Sequence, residues 1–240
     1  MKCPNTLAVK TLGSSMDRLN EAQWYVELMQ EHYHCAAKFR WALSSFLRAM
    51  KEVSQIISME VQVNNDLKEW YKEKRKEISK DPIISYLSKQ RDIVVHQKAL
   101  ETASKGTIGF TRNKKLKLGL GISIDPSHDS EEAILTYIKF AAKESDFLGI
   151  LYTEHDESGE FTAVVREWCL DEHLDTEVTL LCKHAWEMLI KVVVDLGCML
   201  GADLFAPELK MKPIEDVTIQ LYNPEWIKKQ YDIAMQAHKN

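Results

Sequence analysis

The chain has 240 residues, of which 45% are hydrophobic and 28% charged, enough apolar material for a buried core and too much for a disordered chain. A formal net charge of −5 excludes a protein that grips nucleic acid by bulk charge, so any such contact must be local. Five cysteines, at 3, 35, 169, 182 and 198, form no CxxC pair; an odd count fits reduced thiols and a cytoplasmic protein better than a disulfide framework.

Residues 1–15 lack the sustained apolar segment of a secretory leader and read as a loose lead, ending at Gly13-Ser14-Ser15, where a serine can cap the first helix. No later stretch offers about eighteen uncharged apolar residues, so no membrane partner is expected. Between Met16 and Asp81 there is neither glycine nor proline, which predicts helix throughout. Leu19, Ala22, Val26, Met29 and Tyr33 form one apolar stripe; Phe39, Ala42, Leu43, Phe46, Met50, Val53 and Ile57 form a second. The stripes are not continuous, so a break near His32 to Cys35 separates helices over about 16–31 and 35–63. Asn64-Asn65-Asp66 reads as a turn or cap before a short charged helix over 67–79, whose run Lys72 to Glu77 alternates sign as a solvated face does. Asp81 is placed to cap a helix with Pro82 in its first turn, running to about Lys98.

Beyond Ala103 the pattern changes, because most of the nine glycines fall between 106 and 159. Thr107–Arg112 and Leu116–Asp125 read as a hairpin, with Leu118, Leu120, Ile122 and Ile124 alternating as in a half-buried strand. Asp129 or Ser130 caps a helix carrying Ala133, Ile134, Ile138 and Ala141. Phe147–Glu154 and Phe161–Leu170 read as two strands about a turn at Asp156-Glu-Ser-Gly. A strong stripe from Val178 through Val193 predicts a helix ending near Gly197 or Gly201, and Pro224–His238 reads as a short helix on the surface or on a partner.

The chemistry-bearing stretch is Arg91-Asp92-Ile-Val-Val-His96. A histidine titrating near neutrality can take a proton from a ribose 2′-hydroxyl or return one to the leaving oxygen, while a permanently charged guanidinium holds the phosphate. No metal or other cofactor is required. On an ideal helix residues five apart lie about 140° from each other, so the pair converges only if the helix ends between them or the arginine reaches around. One chain supplies one such histidine; two copies about a twofold axis would supply acid and base, so this chemistry predicts a homodimer with the motif at its seam. Spacing alone is a weak signal, since with eight histidines in the chain an arginine–histidine pair at such separations arises by chance roughly half the time. Arg166 and His173 meet the same rule but sit beside an acidic turn.

Other clusters point less clearly to a site. His32, His34 and Cys35 alternate across a helix and fit a helix junction better than a metal site, and Cys182 with His184 share that geometry. Arg112 to Lys117 is a basic hairpin tip that could touch a phosphate backbone. No Gly-rich phosphate loop, GxSxG or HExxH motif occurs.

A long helix with Phe39, Phe46, Arg48 and Val53, an Asp81-Pro82 helix start, the Arg91, Asp92, His96 motif and a closing helix from Val178 to Leu196 together resemble the HEPN family (higher eukaryotes and prokaryotes nucleotide-binding). Its signature is an arginine, a small polar residue, three to five variable residues and a histidine; here aspartate stands where asparagine is more usual. The resemblance implies a mainly α protein: an up-and-down four-helix bundle with three helices in 16–100 and a closing helix in 175–200, a small α+β insertion over 104–172, and a tail with a short helix over 201–240. It also implies a homodimer that binds RNA or cleaves it without metal, His96 acting as acid or base, Arg91 holding the phosphate and Asp92 orienting them. Two other readings stand beside it: a non-catalytic helical interaction module with a protein partner, and a small-ligand sensor using the β-rich segment.

Overall fold

The computed structural model describes residues 6–96, 100–112, 115–143 and 160–239. The described residues are mainly helical with one four-stranded antiparallel sheet. Its residues divide into a helical unit, Met1–Met29, Arg40–Leu100 and Val178–Met211, and a mixed unit, Gln30–Phe39, Glu101–Glu177 and Lys212–Asn240. No helix among the described residues is long and apolar enough to cross a membrane.

The helical unit is built on α1 (Thr6–Glu31), α2 (Ala36–Glu60), α3 (Asn65–Ile78), α4 (Pro82–His96) and the later α6 (Val178–Met199). Both apolar stripes read from the sequence are buried: Leu19, Ala22 and Val26 of α1 and Leu43, Phe46, Val53 and Ile57 of α2 are fully inaccessible. Helix α1 differs from expectation at its start, running through Gly13 from Thr6 because Ala8 and Leu12 are themselves buried. The Gly13-Ser14-Ser15 signal still marks a real feature: the N–H groups of Ser14 and Ser15 donate to Glu60 Oε1 of α2 at 3.0 and 3.1 Å. Arg18 Nε pairs with Glu52 Oε2 at 3.3 Å, also between α1 and α2, and Trp186 of α6 donates to the Leu19 carbonyl at 2.8 Å.

The caps behave as their residue types require. Asn64 Oδ1 accepts from the N–H groups of Asp66 and Leu67 at 2.9 and 3.3 Å, opening α3. Asp81 Oδ1 accepts from the Ile84 N–H at 2.9 Å, opening α4, while its other oxygen meets His184 Nε2 of α6 at 2.9 Å. Helix α6 closes on Gly201, whose φ of +83° suits a residue without Cβ, with Ala202 N–H returning to the Gly197 carbonyl at 3.0 Å.

In the mixed unit, β1 (Ala103–Arg112), β2 (Lys115–Ser123), β3 (Glu160–Cys169) and β4 (Ile219–Tyr222) form a sheet in the order β2-β1-β3-β4. The hairpin β1–β2 and the strand β3 follow the sequence reading; the strand expected over Phe147–Glu154 and the turn after it lie outside the described residues. Helix α5 (Ser130–Ala141) starts with a capping box between Asp129 and Glu132. With α8 (Pro224–Lys239) it buries Ile134, Ile138 and Ile227 in one core with Ile108, Ile124, Val164 and Tyr222 of the sheet and its flank. The expected helix Pro224–His238 is α8, packed on this core, and the tail before it, read as without further structure, adds the short α7 (Ile214–Val217) and the strand β4, which pairs Thr162–Val165. Gly109 faces Gly119 across β1–β2, and a Cβ on Gly109 would collide with the Leu118 carbonyl.

Residues 30–39 anchor to this unit by polar contacts. The Trp168 indole donates to the Tyr33 carbonyl at 2.8 Å, and Phe39 stacks on the Trp168 ring with centroids 4.5 Å apart. His34 Nδ1 meets Ser130 Oγ at 2.8 Å and its Nε2 meets the Val217 carbonyl at 2.9 Å.

Candidate functional site

A cavity of about 390 Å³ opens in the helical unit between α2, the end of α3, α4 and α6. Its apolar floor is Phe46, Leu47, Met50, Leu87 and Leu189, side chains whose helical spacing turns them into the bundle. The polar wall is one-sided in charge. Lys51, Arg75, Lys89 and Arg91 line it, with Gln55 and the hydroxyls of Ser54, Ser79, Ser85 and Ser88, against one carboxylate, Asp92. Lys51, Arg75 and Lys89 make no ion pair among the described residues. On α3 the neighbouring lysines are occupied instead: Lys74 pairs with Glu77 at 2.9 Å and Lys76 with Glu73 at 2.7 Å, so Arg75 is the α3 cation left to the cavity.

Arg91 and Asp92 are brought together, Nη1 to Oδ1 at 2.9 Å. That hydrogen bond is the chief reason the Asp92 carboxyl is held below the usual carboxylate range; slight desolvation opposes it, and the charges of Lys51, Arg91 and His96 add to it. Arg91 is only partly satisfied, since its Nε is buried with no hydrogen-bond partner among the described residues. Such a donor costs free energy unless something accepts from it.

His96 is placed differently. Helix α4 continues without a break from Pro82 to His96, so the helix end that would let Arg91 and His96 converge does not fall between them. His96 is exposed on the last turn and is not among the cavity's lining residues. It does share a face with Asp92, four residues earlier, and the two charges feel each other.

Arg166, His34, Cys182 and His184 are spent on structure. Arg166 is fully buried, its guanidinium 3.7 Å from the Trp168 ring centroid, and donates to Ser104 Oγ and the His128 carbonyl at 3.1 and 2.7 Å. Both ring nitrogens of His34 are engaged, and burial pulls its pKa down to about 4, against the hydrogen bond to Val217 and with help from the Arg166 charge. Cys182 is buried and His184 bonds Asp81. Of the basic hairpin tip, Asn113 and Lys114 lie outside the described residues.

The residues that sequence reading missed are Lys51, Arg75, Lys89 and the serines. A signal existed: Lys51, Ser54 and Gln55 extend the buried edge of α2 at helical spacing, and Ser85, Ser88 and Asp92 do the same on α4. Nothing local says that these two polar edges face one space.

A family model described as bacteriophage lambda protein ea47 matches residues 2–110, which takes in α1 to α4 and most of β1. No curated protein and no solved structure matches the chain. The match corrects the HEPN resemblance, because the stretch that carried it, Arg91-Asp92 to His96 on its long helices, falls inside the region similar to the ea47 model. The physical reason is the weakness of the signal: an arginine and a histidine five apart on an amphipathic helix recur by chance, and helix-forming composition is shared by unrelated bundles. Over residues 2–110 the chain is similar to the bacteriophage lambda protein ea47 family.

Proposed function

We propose that the chain binds single-stranded RNA, or a nucleotide segment of it, through the basic cavity of the helical unit. The observation that carries this reading is the convergence of Lys51, Arg75, Lys89 and Arg91 on one concave surface in a chain of net charge −5. Affinity for a polyanion needs charge where the ligand sits, not over the whole surface. Arg91 Nε, without an acceptor among the described residues, adds a donor, the serines offer further donors, and the apolar floor accepts the face of a base. The volume of about 390 Å³ lies within the roughly 300–1,000 Å³ of ordinary small-ligand sites, which suits one or two nucleotides rather than a duplex.

Fluorescence anisotropy of a labelled single-stranded RNA over a salt series tests it. About three phosphate contacts give a log–log salt slope of about −2, and removing one cation reduces that slope by about 0.7. Arg91→Ala and Lys51→Ala are each expected to weaken binding with the helical content unchanged. Binding that ignores both substitutions sinks the proposal.

A second reading adds cleavage to binding, with Arg91 on the phosphate, His96 moving the proton and Asp92 between them. It is supported by the Arg91–Asp92 hydrogen bond and the one-turn spacing from Asp92 to His96. Incubation with RNA in excess chelator is decisive: cyclic-phosphate ends that vanish in His96→Ala establish it, and intact RNA that stays bound leaves binding alone.

A further inference from the structure

A second cavity, of about 530 Å³, adjoins the first within the helical unit and shares two lining residues with it, Arg75 and Ser79. Lys68, Lys72, Arg75 and Lys76 of α3 line it, and no carboxylate among the described residues does. Helical geometry explains the one-sidedness. Positions 68, 72, 75, 76 and 79 fall on one side of α3, whereas Glu69, Glu73 and Glu77 lie outside it and line neither cavity. The alternating signs of the sequence are thus sorted by face. The other wall repeats the arrangement. Lys51, Ser54, Gln55 and Ser58 share one side of α2 and line the two cavities, while Glu52 pairs with Arg18 and Glu60 accepts from the Ser14 and Ser15 N–H groups. Tyr71 ties the walls together, its hydroxyl donating to the Ser54 carbonyl at 2.9 Å. The ion pairs of Lys72 with Glu69 and of Lys76 with Glu73 have both partners more than half exposed, so each is weak and gives way to a phosphate.

We propose that the two cavities form one continuous track for a single RNA strand, a base seated in the first and the phosphate chain carried over Arg75 into the second. The inference rests on the RNA-binding reading of the first cavity and extends it. The two chambers differ as base and backbone do. The first has the apolar floor of Phe46, Met50 and Leu189, which takes the face of a base. The second sets cations and the hydroxyls of Ser58 and Ser79 around only Val61 and Tyr71, which suits phosphate and ribose. Arg75 belongs to both, so a phosphate held there fixes the register between them. From Lys68 to Ser79 the helix advances about 16 Å, at about 1.5 Å per residue. A stacked strand advances about 3.4 Å per phosphate, so about five nucleotides fill the track.

Fluorescence anisotropy of the full chain with two labelled RNAs, a 5′-phosphorylated trinucleotide and an octanucleotide, over a salt series reads the proposal. The trinucleotide is expected to give a log–log slope of about −2 and the octanucleotide about −3.4, since two further phosphate contacts add about 0.7 each. Lys68→Ala/Lys72→Ala, at exposed positions, is expected to weaken octanucleotide binding about tenfold, return its slope to about −2 and leave the trinucleotide within about twofold. Lys228→Ala/Lys229→Ala of α8 removes equal charge outside both cavities and is expected to change neither RNA. An octanucleotide that binds no more tightly or steeply than the trinucleotide overturns the track while the first cavity stands. So does a Lys68/Lys72 variant that behaves as the α8 control. A wild type that binds neither RNA overturns both readings.

Discussion

Two arginines that obey the same spacing rule in the sequence end in opposite environments. Arg166 is wholly inaccessible, lies against Trp168 and gives its N–H groups to Ser104 and to the His128 carbonyl. Arg91 keeps about a fifth of its side chain exposed, binds Asp92, and leaves Nε at the wall of a cavity with no hydrogen-bond partner among the described residues. A cation whose hydrogen bonds are complete holds the fold together. One with a donor to spare beside open space is available to a ligand, and neither state can be read from the distance to the next histidine.

The largest expected effect tests the Arg166 half of that contrast. Arg166→Met keeps bulk beside Trp168 but strips a carbonyl and a hydroxyl of their buried donor, which costs about 3 kcal/mol or more and lowers the urea midpoint. Close behind is His34. Its pKa falls from 6.5 to about 4 in the folded chain, so between those values the unfolded state binds the extra proton. Stability is full above pH 6.5 and declines on acidification towards pH 4, by up to about 3 kcal/mol. Urea midpoints at pH 7 and pH 5 measure the slope, and His34→Gln flattens it.

Arg91 sharpens the other half. Arg91→Ala is expected to weaken RNA binding about tenfold, or about 1.4 kcal/mol, while the urea midpoint stays within about 0.5 kcal/mol of wild type because no finished network is broken. A large loss of stability would place Arg91 with Arg166 as a structural cation. The smallest effect belongs to Asp81. Burial raises its pKa, but the Ile84 N–H, His184 and the Ile83 N–H outweigh it and leave the carboxyl below 3.8. Its contribution is therefore present above that value and lost as pH falls through the folded one. Asp81→Ala removes a cap worth about 1 kcal/mol, read as an earlier thermal midpoint.

Much of the helical architecture was legible because its causes are local. Asn64, Asp81 and Asp129 cap helices within three residues of themselves, and the stripe from Leu19 to Met29 is set by 3.6-residue periodicity. The misses have causes that are not local. Residues before Gly13 are followed by Gly13-Ser14-Ser15, which reads as a helix start, and only the burial of Ala8 and Leu12 explains why the helix runs through it. Strand β4 has four residues between Pro213 and Pro224, too few to show alternation, and exists because β3 offers an edge. The HEPN resemblance failed for a related reason: it combined a common spacing with common helical composition.

By itself the sequence determined where most helices begin and end, which faces are apolar, and that one hairpin opens the β segment, since each depends on neighbours a few positions away. Tertiary structure alone decided that Lys51, Arg75, Lys89 and Arg91, from three helices, line one cavity, and that Arg166 is sealed against Trp168. Those facts follow from close packing between residues far apart in the chain, where a side chain's role depends on what closes over it.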